Sequence, residues 1–137
     1  VLVPGDLEKA GEAALLARVA GQGVSLGSDV ILVPHHGSRH ASSLRFLDAV
    51  DAAIAVYPVG AANRYGHPAP LILDRFAARG AAQWRTDCDG AVQLELSRDG
   101  YWRVSASRLA APRYWQRVAA CWETPAMPAG RGRTDTR

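Results

Sequence analysis

The sequence has few of the features that cross-link a chain or anchor it in a membrane. It contains only two cysteines among 137 residues, Cys88 and Cys121, and they are too few and too far apart to suggest a disulfide scaffold or a CxxC metal site. No apolar run approaches the roughly 18 residues that a membrane-spanning helix needs. No signal peptide opens the chain. These absences predict a soluble globular chain, for which a hydrophobic content of 48% is ordinary.

The net charge of the chain says little about whether it binds nucleic acid. The net charge is +3, but the balance is −1 over residues 1–105 and +4 over residues 106–137. Fifteen of the 16 basic residues are Arg, which suits forked contacts to phosphate, although GC-rich coding would give the same bias. The basic excess therefore lies in the tail and does not by itself indicate nucleic-acid binding.

Short apolar runs alternate with helical periods along the chain. This alternation predicts a layered α/β architecture, and the Asp-Gly turns at residues 89–90 and 99–100 predict hairpins near its end. We expect a domain over residues 1–106 and a basic, largely disordered tail over residues 107–137, with a short helix near residues 114–122. The predicted strands are 1–3, 30–33, 53–57, 83–85, 91–96 and 101–106, and the predicted helices are 7–20, 44–50 and 71–78.

Three polar clusters follow predicted strands, where α/β folds collect their functional groups. They are Gly5-Asp6, His35-His36-Gly37-Ser38 and Arg64-Tyr65-Gly66-His67. Each has a structural alternative: Asp6 could cap a helix, a histidine could be a hydrogen-bonded structural residue, and the Arg64–His67 segment could be a turn. Together, however, they favour a metal or phosphate site.

Metal-assisted hydrolysis is the chemistry that such residues support. A carboxylate such as Asp6 can bridge two zinc or manganese ions while a neutral imidazole such as His36 binds them. Arg64 and His67 could hold the charge that develops on a phosphoryl oxygen. A two-metal site would still need four or more further protein ligands.

The order of four motifs resembles the C-terminal metallo-β-lactamase-fold domain of ComEC-type competence proteins. The resemblance covers about Val1 to Leu96 and rests on the motifs' order and spacing. The motifs are Gly5-Asp-Leu-Glu8, Asp29-Val-Ile-Leu-Val-Pro-His-His-Gly-Ser38, Asn63-Arg-Tyr-Gly-His-Pro68 and Arg85-Thr-Asp-Cys-Asp-Gly-Ala91.

The resemblance implies a role for each site residue. Asp6 corresponds to the aspartate that bridges two divalent metal ions, and His36 to the late histidine ligand. His35 could be the ligand instead, or could contact the scissile phosphate. His67, with Arg64 beside it, is implied to face substrate phosphate. Asp87 and Asp89 of the last motif are expected to be structural.

The chain departs from the family at its front. The His-x-His-x-Asp-His motif that normally precedes Gly-Asp is absent from the sequence. We therefore expect the C-terminal half of a metallo-β-lactamase αββα sandwich, a mixed sheet with flanking helices, cut from a longer protein. Such a fragment is expected to bind metal weakly and to be inactive alone, and its stability is open.

The resemblance also implies a biological role for the intact protein. It implies an inner-membrane channel for DNA uptake in natural transformation, with this domain soluble on the outer, periplasmic side. Its expected partners are DNA and the membrane channel of the same protein. The domain is expected to degrade the DNA strand that is not transported and to need no small-molecule cofactor. Two other hypotheses remain: a soluble phosphodiesterase of the same fold, and a degenerate structural or binding module.

Overall fold

The computed structural model describes residues 1–98 and 102–110, with the side chains of the second range described as far as residue 108. The α/β class predicted from the sequence is confirmed, because helices combine with a parallel and an antiparallel sheet. The elements in chain order are α1 (Lys9–Gln22), β1 (Val30–Leu32), α2 (Leu44–Val50), β2 (Ile54–Tyr57), α3 (Pro70–Ala77), β3 (Ala82–Arg85), α4 (Thr86–Asp89), β4 (Val92–Leu96), β5 (Trp102–Ala106) and α5 (Ser107–Ala110).

The central layer is a parallel sheet in the order β1-β2-β3. All four residues of β2 are buried, as expected of a middle strand that is covered on both faces. Leu2 extends this sheet by a single parallel bridge to Ile31. The strands therefore point the same way, and the loops that follow them meet at one edge of the sheet.

The two faces of the parallel sheet pack against different partners, since successive side chains alternate between faces. Ile31, Ala55 and Tyr57 pack against apolar residues of α1, α2 and α3. Val30, Ile54, Val56 and Trp84 pack instead against Val104 and Ala106 of β5, with Val92 and Leu94 of β4. Strands β4 and β5 form an antiparallel hairpin. The described residues thus build three layers: helices, parallel sheet, antiparallel hairpin.

A buried carboxylate joins the first two helices. Glu12 in α1 is fully buried, and its two carboxylate oxygens accept the backbone N–H groups of Ser42 at 2.5 Å and Ser43 at 2.8 Å. These N–H groups precede α2, where the helix itself offers no acceptor. Glu12, a residue of α1, therefore supplies the acceptor at the start of α2 that a neighbouring side chain usually supplies.

Three sequence expectations need correction. Residues 1–3 do not form a buried strand: only Leu2 pairs, while Val1 and Val3 are 54% and 65% exposed. Asp6 does not cap α1, which begins at Lys9 after Glu8 and has no side-chain cap.

The third correction concerns the predicted turn at residues 86–90. It does not join a hairpin, because β3 pairs in parallel with β2 while β4 pairs with β5. Residues 86–89 form the short helix α4 instead. The Asp-Gly signal lies where the chain crosses from one sheet to the other, and Trp84 is buried between those sheets.

Some expectations fall outside the described residues. The tail beyond residue 110, its expected disorder and the helix near residues 114–122 all lie there. Among residues 1–98 and 102–110, no helix is both long enough and apolar enough to cross a membrane.

Candidate metal and phosphate site

Backbone hydrogen bonds bring the three predicted clusters together at the carboxyl edge of the parallel sheet. The His35 N–H donates to the Gly5 carbonyl at 3.0 Å, which places the loop of Asp6 beside the histidines. The Ala69 N–H donates to the Gly37 carbonyl at 2.9 Å, which places the loop of His67 on their other side. The clustering is therefore part of the backbone fold.

Gly37 allows the closest of these approaches. Its φ of 84° is left-handed, and a Cβ at this position would lie 2.6 Å from Pro68 Cβ and 3.1 Å from Tyr57 Cδ1. No side chain fits there without moving its neighbours. Glycine at residue 37 is thus required for the histidine turn (Pro34–Gly37) to pack against the loop that carries His67.

Both histidines of this turn have left-handed backbones. His35 has φ 49° and ψ 42°, and His36 has φ 56° and ψ 19°. For residues other than glycine this conformation costs about 1–2 kcal/mol each, and such strain concentrates at functional sites. The strain turns two adjacent imidazoles in different directions, with ring planes at 66° and centroids 6.4 Å apart.

The His36 ring is held in the manner of a metal ligand. Its Nδ1 lies 2.8 Å from the Pro58 carbonyl oxygen, which can only accept, so Nδ1 carries a proton and, in the neutral ring, Nε2 presents its lone pair. Nε2 lies 3.7 Å from Asp6 Oδ1. A backbone carbonyl that fixes the tautomer is the usual second contact of a metal-binding histidine.

Thr86 supports the carbonyl that holds His36. Its Oγ1 accepts the Val59 N–H at 2.7 Å and donates to the Val59 carbonyl at 2.7 Å. These bonds fix the backbone immediately after Pro58 to the end of β3. Sequence reasoning missed both residues: Pro58 acts through a backbone carbonyl, which carries no side-chain signal, and Thr86 acts on backbone that is distant in sequence.

His35 faces a second carboxylate. Its Nδ1 lies 3.2 Å from Glu8 Oε1, although the geometry is not that of a hydrogen bond and Nδ1 finds no hydrogen-bond partner among the described residues. The ring of His35 is also 6.1 Å from that of His67. His35 therefore lies between the Asp6 loop and the His67 loop, and Glu8 is a neighbour that the sequence did not single out.

Asn63 fixes the position of His67. Its Oδ1 accepts the His67 N–H at 2.8 Å, and its Nδ2 donates to the His67 carbonyl at 2.9 Å. Burial, followed by electrostatic interactions with His35, His36 and Arg39, lowers the pKa of His67. Arg39 was not predicted as a site residue, yet it lies near enough to contribute.

Arg64 is near His67 but does not point at it. The guanidinium lies 5.1 Å from the centroid of the Tyr65 ring, and Nη2 donates to the Tyr65 hydroxyl at 3.0 Å. Tyr65 in turn stacks on His67, with planes at 21° and centroids 5.9 Å apart. Arg64 thus reaches the site through Tyr65 in this conformation.

The two aspartates of the last motif make structural contacts. Asp87 receives two hydrogen bonds from the Arg85 guanidinium, from Nε at 3.0 Å and Nη2 at 2.6 Å. Asp89 accepts the Arg85 backbone N–H at 2.7 Å. Burial raises the pKa of Asp89, an effect that this hydrogen bond opposes.

The donors fit part of a metal site. Asp6 and His36 supply an oxygen and an imidazole nitrogen on facing loops, which suit zinc or manganese. Among the described ranges, however, no group of three or more His, Cys, Asp or Glu side chains is arranged to hold a metal ion. The chain therefore offers two candidate ligands and would need others from elsewhere.

Fold and site together define an α/β domain in which Asp6, His35, His36 and His67 lie on adjoining loops at the edge of its parallel sheet. The chain is 42% identical over 118 residues to competence protein ComA of Neisseria gonorrhoeae, covering 85% of this chain and 16% of that protein. It is 32% identical over 92 residues to ComE operon protein 3 of Bacillus subtilis, covering 67% of this chain and 11% of that protein.

These relatives support a place for the chain in a competence family. The uncharacterized protein YcaI of Escherichia coli is also similar, at 29% identity over 108 residues, which are 79% of this chain and 14% of that protein. The chain thus spans less than a fifth of the length of these relatives. No protein-family profile matches it, and no solved structure matches it.

Proposed function

We propose that this chain is part of a metallo-β-lactamase-fold domain that hydrolyses phosphodiester bonds of DNA during uptake. The observation that carries the proposal is the orientation of His36, whose Nδ1 donates to a backbone carbonyl while Nε2 faces Asp6 at 3.7 Å. In the neutral ring the Nε2 lone pair and the Asp6 carboxylate can both be offered to one metal ion. DNA is the proposed substrate because the chain is similar to a protein named for competence.

Each site residue has a role in this proposal. Asp6 and His36 would hold the metal, with the remaining ligands supplied by other segments of the intact protein. A divalent ion would act there as a Lewis acid and activate water for attack on phosphorus. His67 can donate an N–H to a phosphoryl oxygen, and His35 lies beside it.

The two arginines would attract the phosphate backbone. Arg39 contributes positive charge at His67, and Arg64 can leave Tyr65 because its side chain is exposed. Backbone attraction of this kind is independent of sequence and weakens with salt. It would suit an activity that degrades whichever strand is not transported.

The proposed location is the outer side of the plasma membrane, with the transport channel formed by other parts of the same protein. The support for this location is the similarity to competence protein ComA, of which this chain covers 16%.

A binding module without catalysis is the second candidate function. It is favoured by the donor count, since residues 1–98 and 102–110 contain no group of three or more metal-ligating side chains suitably arranged. Such a module would hold DNA through its arginines and would neither bind metal tightly nor cleave.

Cleavage by the full-length protein separates the two candidates. Purified protein would be stripped with chelator, resupplied with zinc or manganese, and incubated with labelled single-stranded DNA. The proposal predicts metal-dependent cleavage that His36→Ala abolishes and that His40→Ala retains, because His40 is exposed and outside the site. DNA binding without metal uptake or cleavage in the wild type would establish the module instead.

A further inference from the structure

A mostly apolar cavity opens directly beside the candidate metal ligands. It has a volume of about 210 Å³ and is lined by residues that follow β2, Pro58–Gly60, together with Asn63, Tyr65, His67 and His36. One wall thus belongs to the proposed metal ligand His36. A ligand in the cavity would adjoin the reacting phosphate.

Tyr65 gives the cavity an exposed aromatic wall. It is 68% exposed, an unusual position for a ring whose burial would be favourable. The ring is nearly parallel to that of His67, at 21°. A flat aromatic surface that remains in solvent beside a polar site is suited to stacking on a planar ligand.

The charge around the cavity indicates what that ligand carries. Arg64 lies on Tyr65, and Arg39 is close enough to affect His67. A ligand that satisfies both features has a planar aromatic part for Tyr65 and an anionic part for the arginines and His67. A nucleotide unit of DNA has both, joined at the distance of one sugar.

The cavity offers little to read the edge of a base. Asn63 is its one amide side chain, and both its Oδ1 and its Nδ2 are engaged by the His67 backbone. These bonds fix the orientation of the Asn63 amide toward the His67 backbone and not toward the edge of a base. Stacking alone tolerates every base.

We propose that this cavity is a base-stacking subsite in which Tyr65 holds the nucleobase next to the scissile phosphate, without preference for its identity. The inference deepens the proposed function and rests on DNA being the substrate. It requires an unpaired base, because bases within a duplex are already stacked and cannot enter. The subsite therefore selects single-stranded over double-stranded DNA.

Binding measured without metal tests the subsite independently of cleavage. Full-length protein in chelator would be titrated with a fluorescent single-stranded oligonucleotide. Tyr65→Ala should weaken binding about 5- to 100-fold, the range of one lost stacking contact. Tyr65→Phe should bind as the wild type does, because it keeps the ring. Val24→Ala, which removes another exposed apolar side chain, is the matched control and should also bind normally.

An abasic oligonucleotide completes the test. It lacks the stacking base, so wild type and Tyr65→Ala should bind it equally. Equal affinity of the two proteins for the normal strand would overturn the subsite, and so would an equal loss on both oligonucleotides, since Tyr65 would then act by shaping the loop. Failure of the wild type to cleave DNA would refute the proposed hydrolysis and leave this binding comparison intact.

Discussion

The Nδ1 of His36 lies 2.8 Å from the carbonyl oxygen of Pro58, a residue on the loop after the neighbouring strand. This contact crosses between the ends of β1 and β2, so the parallel pairing of those strands fixes the direction of the imidazole. Because Nδ1 donates, Nε2 is free to bind a metal. The proposed metal site depends on this contact between His36 and Pro58 more than on any other.

Removing the His67 side chain should slow cleavage without emptying the metal site. We expect His67→Ala to lower kcat about 100-fold or more, the usual cost of losing a group that stabilises charge in the transition state, and to leave metal content near that of the wild type. Steady-state kinetics and elemental analysis of the full-length protein measure the two effects. Equal metal loss in His67→Ala and His36→Ala would refute the separate roles.

Thr86 should act on the metal from a distance. Thr86→Val removes the hydroxyl that bonds both Val59 backbone groups, which frees the segment holding the Pro58 carbonyl. We expect metal affinity to fall about tenfold, as for other outer-shell changes. Thr86→Ser keeps the hydroxyl and should restore the affinity. If Thr86→Val bound metal as tightly as the wild type, the carbonyl would not be positioning His36.

Glu12 should be among the most sensitive positions for stability. Glu12→Ala would leave two N–H groups before α2 without their acceptor, and bonds to a charged partner contribute about 1.5–3 kcal/mol each. We expect a loss of about 3 kcal/mol or more in the free energy of unfolding, measured by denaturant titration. The control is Glu95→Ala on the exposed face of β4, which should change stability by less than about 0.5 kcal/mol.

Asp89 should destabilise the fold as pH rises. Its pKa is raised, mainly by burial, so the folded protein keeps this proton at a pH where the unfolded chain has released it. Stability from this group is therefore present at low pH and is lost as pH rises from the ordinary aspartate value through the raised one. Asp89→Asn removes the titration while keeping an acceptor for the Arg85 N–H.

The difference in unfolding free energy between Asp89→Asn and wild type should thus grow in favour of the variant over that pH range. Denaturation at a series of pH values gives this difference. The same substitution at the exposed Asp29 serves as the control. A difference that stayed constant with pH, or that grew in favour of the wild type, would contradict the effect of burial.

Local patterns were sufficient to predict the elements of the parallel sheet and the convergence of the three clusters. The apolar runs near residues 30–33 and 53–57 became β1 and β2, and parallel strands bring the loops after them to one edge. The pairing of β3 was not predictable in the same way. A turn after Arg85 fits a hairpin as well as a crossing between sheets, and only tertiary burial, such as that of Trp84, distinguishes them.

The residues of the candidate site could be named from the sequence, but the contacts that orient them could not. Asp6, His35, His36 and His67 were named from their motifs and do lie on adjoining loops. The partners that orient them were missed, because Pro58 acts through its carbonyl and Asn63 through bonds to backbone. The sequence predicts that Arg64 contacts the substrate phosphate, but in the structure its guanidinium bonds to the hydroxyl of the adjacent Tyr65.

Metal content of the intact protein tests the central claim most directly. Wild type, His36→Ala and the control His40→Ala would be purified identically, dialysed against zinc or manganese, and measured by elemental analysis. The account predicts bound metal in the wild type and His40→Ala and a marked loss in His36→Ala. Metal retained in full by His36→Ala, or none bound by the wild type, would contradict it.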